Sequence, residues 1–188
     1  MNTSFDPSTH TYCIDNRKVP GVTQVLRDVL PGWSASEWHM NRGTVVHACA
    51  VAIARNQDFD YDPAVDGQVI AIKRFFREVK PKVLSVESPV YSLLYLYGGM
   101  LDLRCEIKGK EMVLDWKATL SREVEWQLAG YAIPTNLNYG VGVEIHDDGT
   151  YRMGEVYDLK RAKNEWLAIL TTYRIRRKCK IKEDENES

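Results

Sequence analysis

Residues 82 to 117, KVLSVESPVYSLLYLYGGMLDLRCEIKGKEMVLDWK, hold three extended runs in succession: KVLSVESPVYSLLYLY, GMLDLRCEI and EMVLDWKA. Each is rich in aliphatic, aromatic and β-branched residues and is bounded by turn-forming residues, which reads as strand, turn, strand, turn, strand. Gly98, Gly99 and Gly109 are the candidates for the turn positions. Consecutive strands joined this tightly pair as an antiparallel meander, and the sheet then needs other elements to cover its apolar face.

The rest of the chain supplies that cover. THTYCID and KVPGVT, meeting at Asn16 and Arg17, read as a small N-terminal hairpin, followed by a short helix over VTQVLRDVL that Pro31 and Gly32 end. Ser34 or Ser36 can cap a long helix running to about Arg55, whose second half, VVHACAVAIA, is apolar nearly all round and so belongs in the interior. A second helix spans about residues 64 to 79 and stops before Pro81. From Glu123 to about Leu137 the spacing is helical, with Val124, Leu128 and Ala132 on one stripe. YGVGVEIHD and TYRMGEVYD are further strands around a turn at Asp148 and Gly149, and a helix over about 159 to 178 closes the order. The sum is an α/β domain with a central sheet flanked by helices.

Composition bounds what such a domain can be. A chain of 188 residues is one domain's worth, and a 44% hydrophobic share with five Trp excludes a disordered chain. No apolar run nears the ~18 residues of a membrane span, and MNTSFDPSTH contains no apolar signal core, so a cytoplasmic protein without membrane contact is expected. Cys13, Cys49, Cys105 and Cys179 are scattered without a CxxC pair and read as reduced, mostly buried thiols. The net charge of -1 advertises no polyanion partner, but positive charge gathers in YRIRRKCKIK, residues 173 to 182, ahead of an acidic tail. That run is either a solvated helix face or a phosphate-binding strip.

The chemistry concentrates in VLDWKATLSREVEWQLAGY, residues 113 to 131. Residues two apart on a strand share a face, so Asp115 and Lys117 point one way and Leu114 and Trp116 the other. A carboxylate and an amine on one strand suit phosphodiester hydrolysis, where the acid holds Mg²⁺ and the amine positions a water. The spacing alone decides little: Asp158 and Lys160 repeat it, and Glu106 and Lys108 nearly do. Context separates them, because only Asp115 has a second acid, Asp102, on the preceding strand, where an unpartnered carboxylate among apolar residues is costly. Glu87 is a third acid on the strand before, or an ordinary edge ion-pair residue. Gln127 and Tyr131 lie one helical turn apart just after the Asp-x-Lys strand and can bond phosphate oxygens or a strand end, or can be a surface Gln and a core-edge Tyr. His47 stands in an apolar helix with Gly43 one turn earlier, a placement open to a metal-ligating imidazole or a buried structural one; Arg42 beside it can meet a phosphate.

In this order and at these intervals, GTVVH, Glu87, GGMLD, DWK and QLAGY resemble the RecB-type exonuclease branch of the PD-(D/E)xK nuclease superfamily. The resemblance covers roughly residues 5 to 175, and it is the ordered set of GxxxH, GxxD, DxK and QxxxY that carries it. It implies a restriction-endonuclease-like αβββα core with a central mixed sheet, residues 5 to 33 preceding the core and 176 to 188 forming a charged tail. It implies His47, Asp102 and Asp115 as ligands of one or two Mg²⁺ or Mn²⁺ ions, with the Trp116 carbonyl as a further oxygen. Lys117 would orient and activate the attacking water, Glu87 would be an additional catalytic acid, and Gln127, Tyr131 and Arg42 would contact DNA. The expected activity is exonucleolytic hydrolysis from a DNA end, 5′ to 3′, in recombination or repair. The rival readings are a structure-specific endonuclease of the same fold and an inactive DNA-binding module. A single-strand annealing or single-strand-binding protein is an expected partner in a phage-type setting, and an oligomer is compatible with the pattern. The C-terminal cysteine cluster of iron–sulfur members is missing, since only Cys179 lies there, and GxxxxGK[ST] does not occur, so neither a cluster nor a nucleotide cofactor is expected.

Overall fold

The computed structural model describes residues 1–30 and 37–186, with side chains described outside 31–44 and 180–188. The expected helix stop at Pro31 and Gly32, the caps at Ser34 or Ser36, and the Arg42 side chain lie outside the described residues. At the N-terminus, β1 (Thr3–Asp6), β2 (Thr11–Ile14) and β3 (Arg17–Val19) form a three-stranded antiparallel sheet. The expected hairpin is its β2–β3 half, turned by Asp15 and Asn16 at φ of 48° and 61°. Two successive positive φ values are the turn geometry that matches strand twist, and Asp and Asn tolerate it. β1 adds an outer strand to that hairpin. Next comes α1 (Val22–Val29), which buries Val22, Val25 and Leu26.

After α2 (Glu37–Ala54) and a single 3₁₀ turn at Pro63–Val65, α3 (Asp66–Val79) leads into the main sheet. This sheet contains β4 (Lys82–Ser92), β5 (Tyr97–Ile107) and β6 (Lys110–Lys117), then α4 (Val124–Thr135), β7 (Tyr139–Ile145), β8 (Tyr151–Met153) and β9 (Tyr157–Asp158). The strand order is β4-β5-β6-β7-β8, with β9 also on β7. The first three strands are the antiparallel meander read from the sequence. β6 and β7 are parallel, as a crossover through α4 allows, which makes the sheet mixed. α5 (Lys160–Asn186) runs further than the expected end near 178.

Two cores lie on the two faces of the sheet. One joins α1, α4 and α5 through Val22, Leu26, Tyr97, Val113, Leu128 and Trp166. The other joins α2 and α3 through Cys49, Val69, Phe75, Leu103, Leu114, Trp116 and Val143. Pro134 stands inside α4 and offers no N–H to the carbonyl of Gly130, four residues earlier. The buried Tyr97 hydroxyl donates to that carbonyl instead, at 2.8 Å. This bond ties the start of β5 to α4.

Gly98 and Gly99 do not form a turn. The chain reverses through Leu93 to Leu96, with Leu96 at φ 47°, and both glycines are buried inside β5. A Cβ on Gly98 would lie 2.7 Å from Tyr12, and one on Gly99 would lie 2.7 Å from Tyr131. They are glycines because aromatic rings press on the strand there. Gly109, at φ 76° after Lys108 at 51°, does make the expected β5–β6 turn.

The cysteines are all free; Cys49 and Cys105 are buried, Cys13 is half-buried and Cys179 is exposed. Part of the basic C-terminal run has a structural task. The Arg174 guanidinium donates to the Tyr95 carbonyl, and Arg176 donates to the carbonyls of Asp28 and Val29 at 3.0 and 3.2 Å. The latter two are among the carbonyls that the end of α1 leaves without helical partners. Among the described residues no helix is long and apolar enough to cross a membrane.

Candidate active site

The site forms where β5 and β6 part. Their ladder runs from Ile107↔Lys110 to Leu103↔Leu114, and the Trp116 N–H beyond it donates to Asp102 Oδ2 at 2.9 Å. Thus a carboxylate takes the place of a strand carbonyl. The Trp116 side chain, on the other face, packs edge-on against Phe75 at 5.1 Å and holds the strand end in place. Asp102 Oδ1 lies 3.2 Å from Nδ1 of His47 on α2. Asp115, one residue before Trp116, places Oδ2 2.5 Å from Lys117 Nζ. Its Oδ1 accepts a 3.0 Å bond from Gln127 Nε2, which also donates to the Tyr131 hydroxyl at 3.0 Å. The structure therefore brings together His47, Asp102, Asp115, Lys117, Gln127 and Tyr131.

Glu87 is beside this group. It falls between the Val86↔Leu103 and Ser88↔Leu101 pairs, hence opposite Asp102, and with His47, Ala50, Val86, Asp102 and Trp116 it lines a small cleft. Its φ of 42° is a left-handed conformation on a non-glycine residue, which costs about 1 kcal/mol or more unless its surroundings hold it. The side chain is exposed.

Burial sets the electrostatics. Asp115 is 1% exposed, and desolvation pushes its carboxyl up to about 6, against the pull of Lys117 and with a further push from Asp102. Desolvation acts on Asp102 too, but the charges of His47 and Lys117 and the Trp116 N–H outweigh it and hold that carboxyl below its ordinary value. Asp102 in turn raises His47 to about 9. The pair is one carboxylate kept charged by partners and one that burial drives toward its protonated form.

Gln127 and Tyr131 are each 3% exposed, and their polar atoms are turned to Asp115 and to each other rather than to an open surface. Burial raises the Tyr131 hydroxyl well above its ordinary range, so it stays protonated. Of the other two candidate pairs, Asp158 accepts a 3.1 Å bond from the Lys160 N–H at the start of α5, which is a helix cap, and Glu106 pairs with Lys82 at 3.3 Å on the strand edge. Glu144 was missed. It is 7% exposed on β7 beside the Lys117 end of β6, and the signal was present: a lone acid in VGVEI, the argument that singled out Asp102.

Among the described residues no three His, Cys, Asp or Glu side chains are gathered closely enough to enclose an ion as placed; the positive charge at the acids comes from His47 and Lys117. The donor set nevertheless fits Mg²⁺ or Mn²⁺. Two buried carboxylates supply hard oxygens, and Asp115 Oδ2, apart from its ion pair, and Gln127 Oε1 accept no hydrogen bond.

No family model matches the chain, and no curated protein sequence does. Its fold is that of the restriction-endonuclease-like nucleases, an α/β fold with a mixed sheet between helices. The solved structures that share it include an alkaline exonuclease, LHK-Exo, from Laribacter hongkongensis, with a TM-score of 0.52 at 13% identity over 89% of this chain and 91% of that one. The same exonuclease in complex with dAMP aligns with a TM-score of 0.52, 13% identity and coverage of 90% and 92%. At this identity the likeness is one of fold.

Proposed function

We propose that the chain is a divalent-metal-dependent DNA exonuclease of the RecB-type branch, hydrolysing phosphodiester bonds from a 5′ end. One observation carries the reading: Asp115 is buried at a strand end with Lys117 Nζ 2.5 Å from it and Asp102 on the adjoining strand. Folding alone disfavours two buried carboxylates and an amine there, whereas phosphodiester hydrolysis needs that set. A fold shared with an alkaline exonuclease supports the same reading.

His47, Asp102 and Asp115 would hold the metal, which supplies charge neutralisation at the scissile phosphate and a more acidic water. Lys117 orients the attacking water beside Asp115. Gln127 donates to Asp115 Oδ1 and keeps the carboxylate turned toward Lys117. Tyr131 accepts from the same amide and restrains it. Both are enclosed in the fold, so in place of the expected direct DNA contact they position Asp115. Glu87 reaches the same cleft from β4 as the additional acid.

The test is digestion of a linear duplex labelled at one 5′ end, beside a closed circular single strand, with Mg²⁺, with Mn²⁺ or with EDTA. Metal-dependent release of the 5′ label with the circle intact is the expected result. A cut circle assigns an endonuclease of the same fold, and no cleavage with either ion removes the nuclease reading.

A further inference from the structure

Beyond the cleavage centre, a second charged group lies on the same face of the sheet. Lys117 is the register partner of Glu144 on β7, and Glu144 is that of Arg152 on β8. Directly paired residues share a face, so Lys117, Glu144 and Arg152 form one row across three strands. With strands roughly 4.8 Å apart, the Arg152 backbone lies about 10 Å from that of Lys117, a span that one to two successive phosphates of a single strand cover.

The burial within this row is uneven. Glu144 is 7% exposed, while the side chains of Arg152 and His146 are 60% and 38% exposed. Arg152 Nε and an Nη converge on one oxygen, Glu144 Oε2, at 2.6 and 2.5 Å. His146 Nε2 stands 3.7 Å from that oxygen, and its Nδ1 is 2.9 Å from Thr150 Oγ1, which fixes the ring. An ion pair serving only the sheet edge would leave its carboxylate in water, where desolvation costs nothing. Here the carboxylate is buried and two cation-forming groups stand at the surface, so its effect is to hold them in place. Of the five N–H groups in the Arg152 fork, three have no partner among the described residues.

We infer that Arg152, anchored by Glu144 and flanked by His146, is a phosphate-binding site for the nucleic-acid strand one to two nucleotides from the bond that Lys117 and Asp115 address. A planar guanidinium with free donors is the side chain that takes phosphate oxygens in pairs. The inference rests on the nuclease reading above.

The experiment is anisotropy binding of a fluorescein-labelled linear duplex to the full chain in EDTA across a salt series. The chains compared are wild type, Arg152→Gln, and Arg152→Gln combined with Glu144→Gln, which removes the charge left alone in the first variant. The expected result is affinity lowered roughly 5- to 20-fold in both variants, with the slope of log K against log salt reduced by about one, as for one lost phosphate contact. Wild-type affinity and slope in both variants would overturn the inference, and so would a loss in the single variant that the double variant restores, since Arg152 would then only be shielding Glu144. If the wild type cleaves linear DNA with Mg²⁺ while the variants bind like it, this inference alone fails. If the wild type neither binds nor cleaves, the nuclease reading fails and this one with it.

Discussion

Asp115→Asn should make the metal-free protein more stable while abolishing cleavage. The Asp115 carboxyl titrates at about 6 in the fold against an ordinary 3.8 because burial disfavours its charge. An acid with a raised folded pKa keeps its proton longer in the folded state than in the unfolded chain. Stability therefore falls as pH rises from about 4 to 6 and stays lower above that. About two pKa units at 1.36 kcal/mol each give about 3 kcal/mol of destabilisation at pH 7 to 8. The side chain is 2% exposed, so solvent screening removes little of this. Asparagine has no charge to desolvate and still offers Oδ1 to Gln127, and the pull of Lys117 on the carboxylate is already contained in the value of about 6. The gain is about 3 kcal/mol, or roughly 6 to 12 °C in Tm for a chain of this size. Thermal melts in EDTA at pH 4 and pH 8 read this directly: near-equal Tm at pH 4, a higher Tm for the variant at pH 8, and no cleavage with Mg²⁺. A variant less stable than wild type at pH 8, or a difference that does not change with pH, would refute the argument that burial sets the Asp115 proton affinity.

Three further perturbations probe the surroundings. In the metal-free protein, Asp102→Asn should lower His47 from about 9 toward its ordinary 6.5, followed by the imidazole proton signals through a pH titration; in the wild type the stability His47 adds is present below about 6.5 and lost as pH rises through 9. Gly99→Ala should cost about 1–3 kcal/mol in urea melts, because the new Cβ would sit 2.7 Å from Tyr131, and its cleavage should fall as Tyr131 shifts Gln127 away from Asp115. Asp158→Ala should cost about 1 kcal/mol through the lost α5 cap yet leave cleavage intact; an inactive variant would mean that this Asp-x-Lys pair is the catalytic one.

The elements that period and turn chemistry specify were legible: the three strands from Lys82 to Lys117, the Gly109 turn, and helices α1, α3 and α4 within a residue or two. β1 was not, since TSFD has no apolar alternation, and TYRMGEVYD, read as one strand, is divided into β8 and β9 by the stretch from Gly154 to Val156. Gly98 and Gly99 were misplaced because glycine marks both a turn and a close approach, and only the tertiary contact with Tyr12 and Tyr131 tells which. For the site, Asp115 and Lys117 were read from the Asp-x-Lys spacing on one strand face, and Asp102 by asking which acid an apolar strand cannot hold without a partner. Gln127 was read as a DNA contact or a surface residue, both of which need an open face at the helix border. Yet α4 is buried from Val124 through Tyr131 at most positions and has little solvent face to offer, which leaves a Gln there the interior as its surroundings.

That same rule explains why the site stands out at all. Asp102, Asp115, Gln127 and Glu144 are four of the six buried polar or charged residues among those described, and all four lie on β5, β6, α4 and β7, around the point where β5 leaves β6. Each costs free energy that an apolar residue there would not, and Glu87 adds a left-handed backbone on the neighbouring strand. Local rules are obeyed along most of the chain and broken together here. A sequence retains such a concentration of unfavourable choices only where something other than stability depends on it, and the buried acids beside Lys117 supply what hydrolysis of a phosphodiester needs.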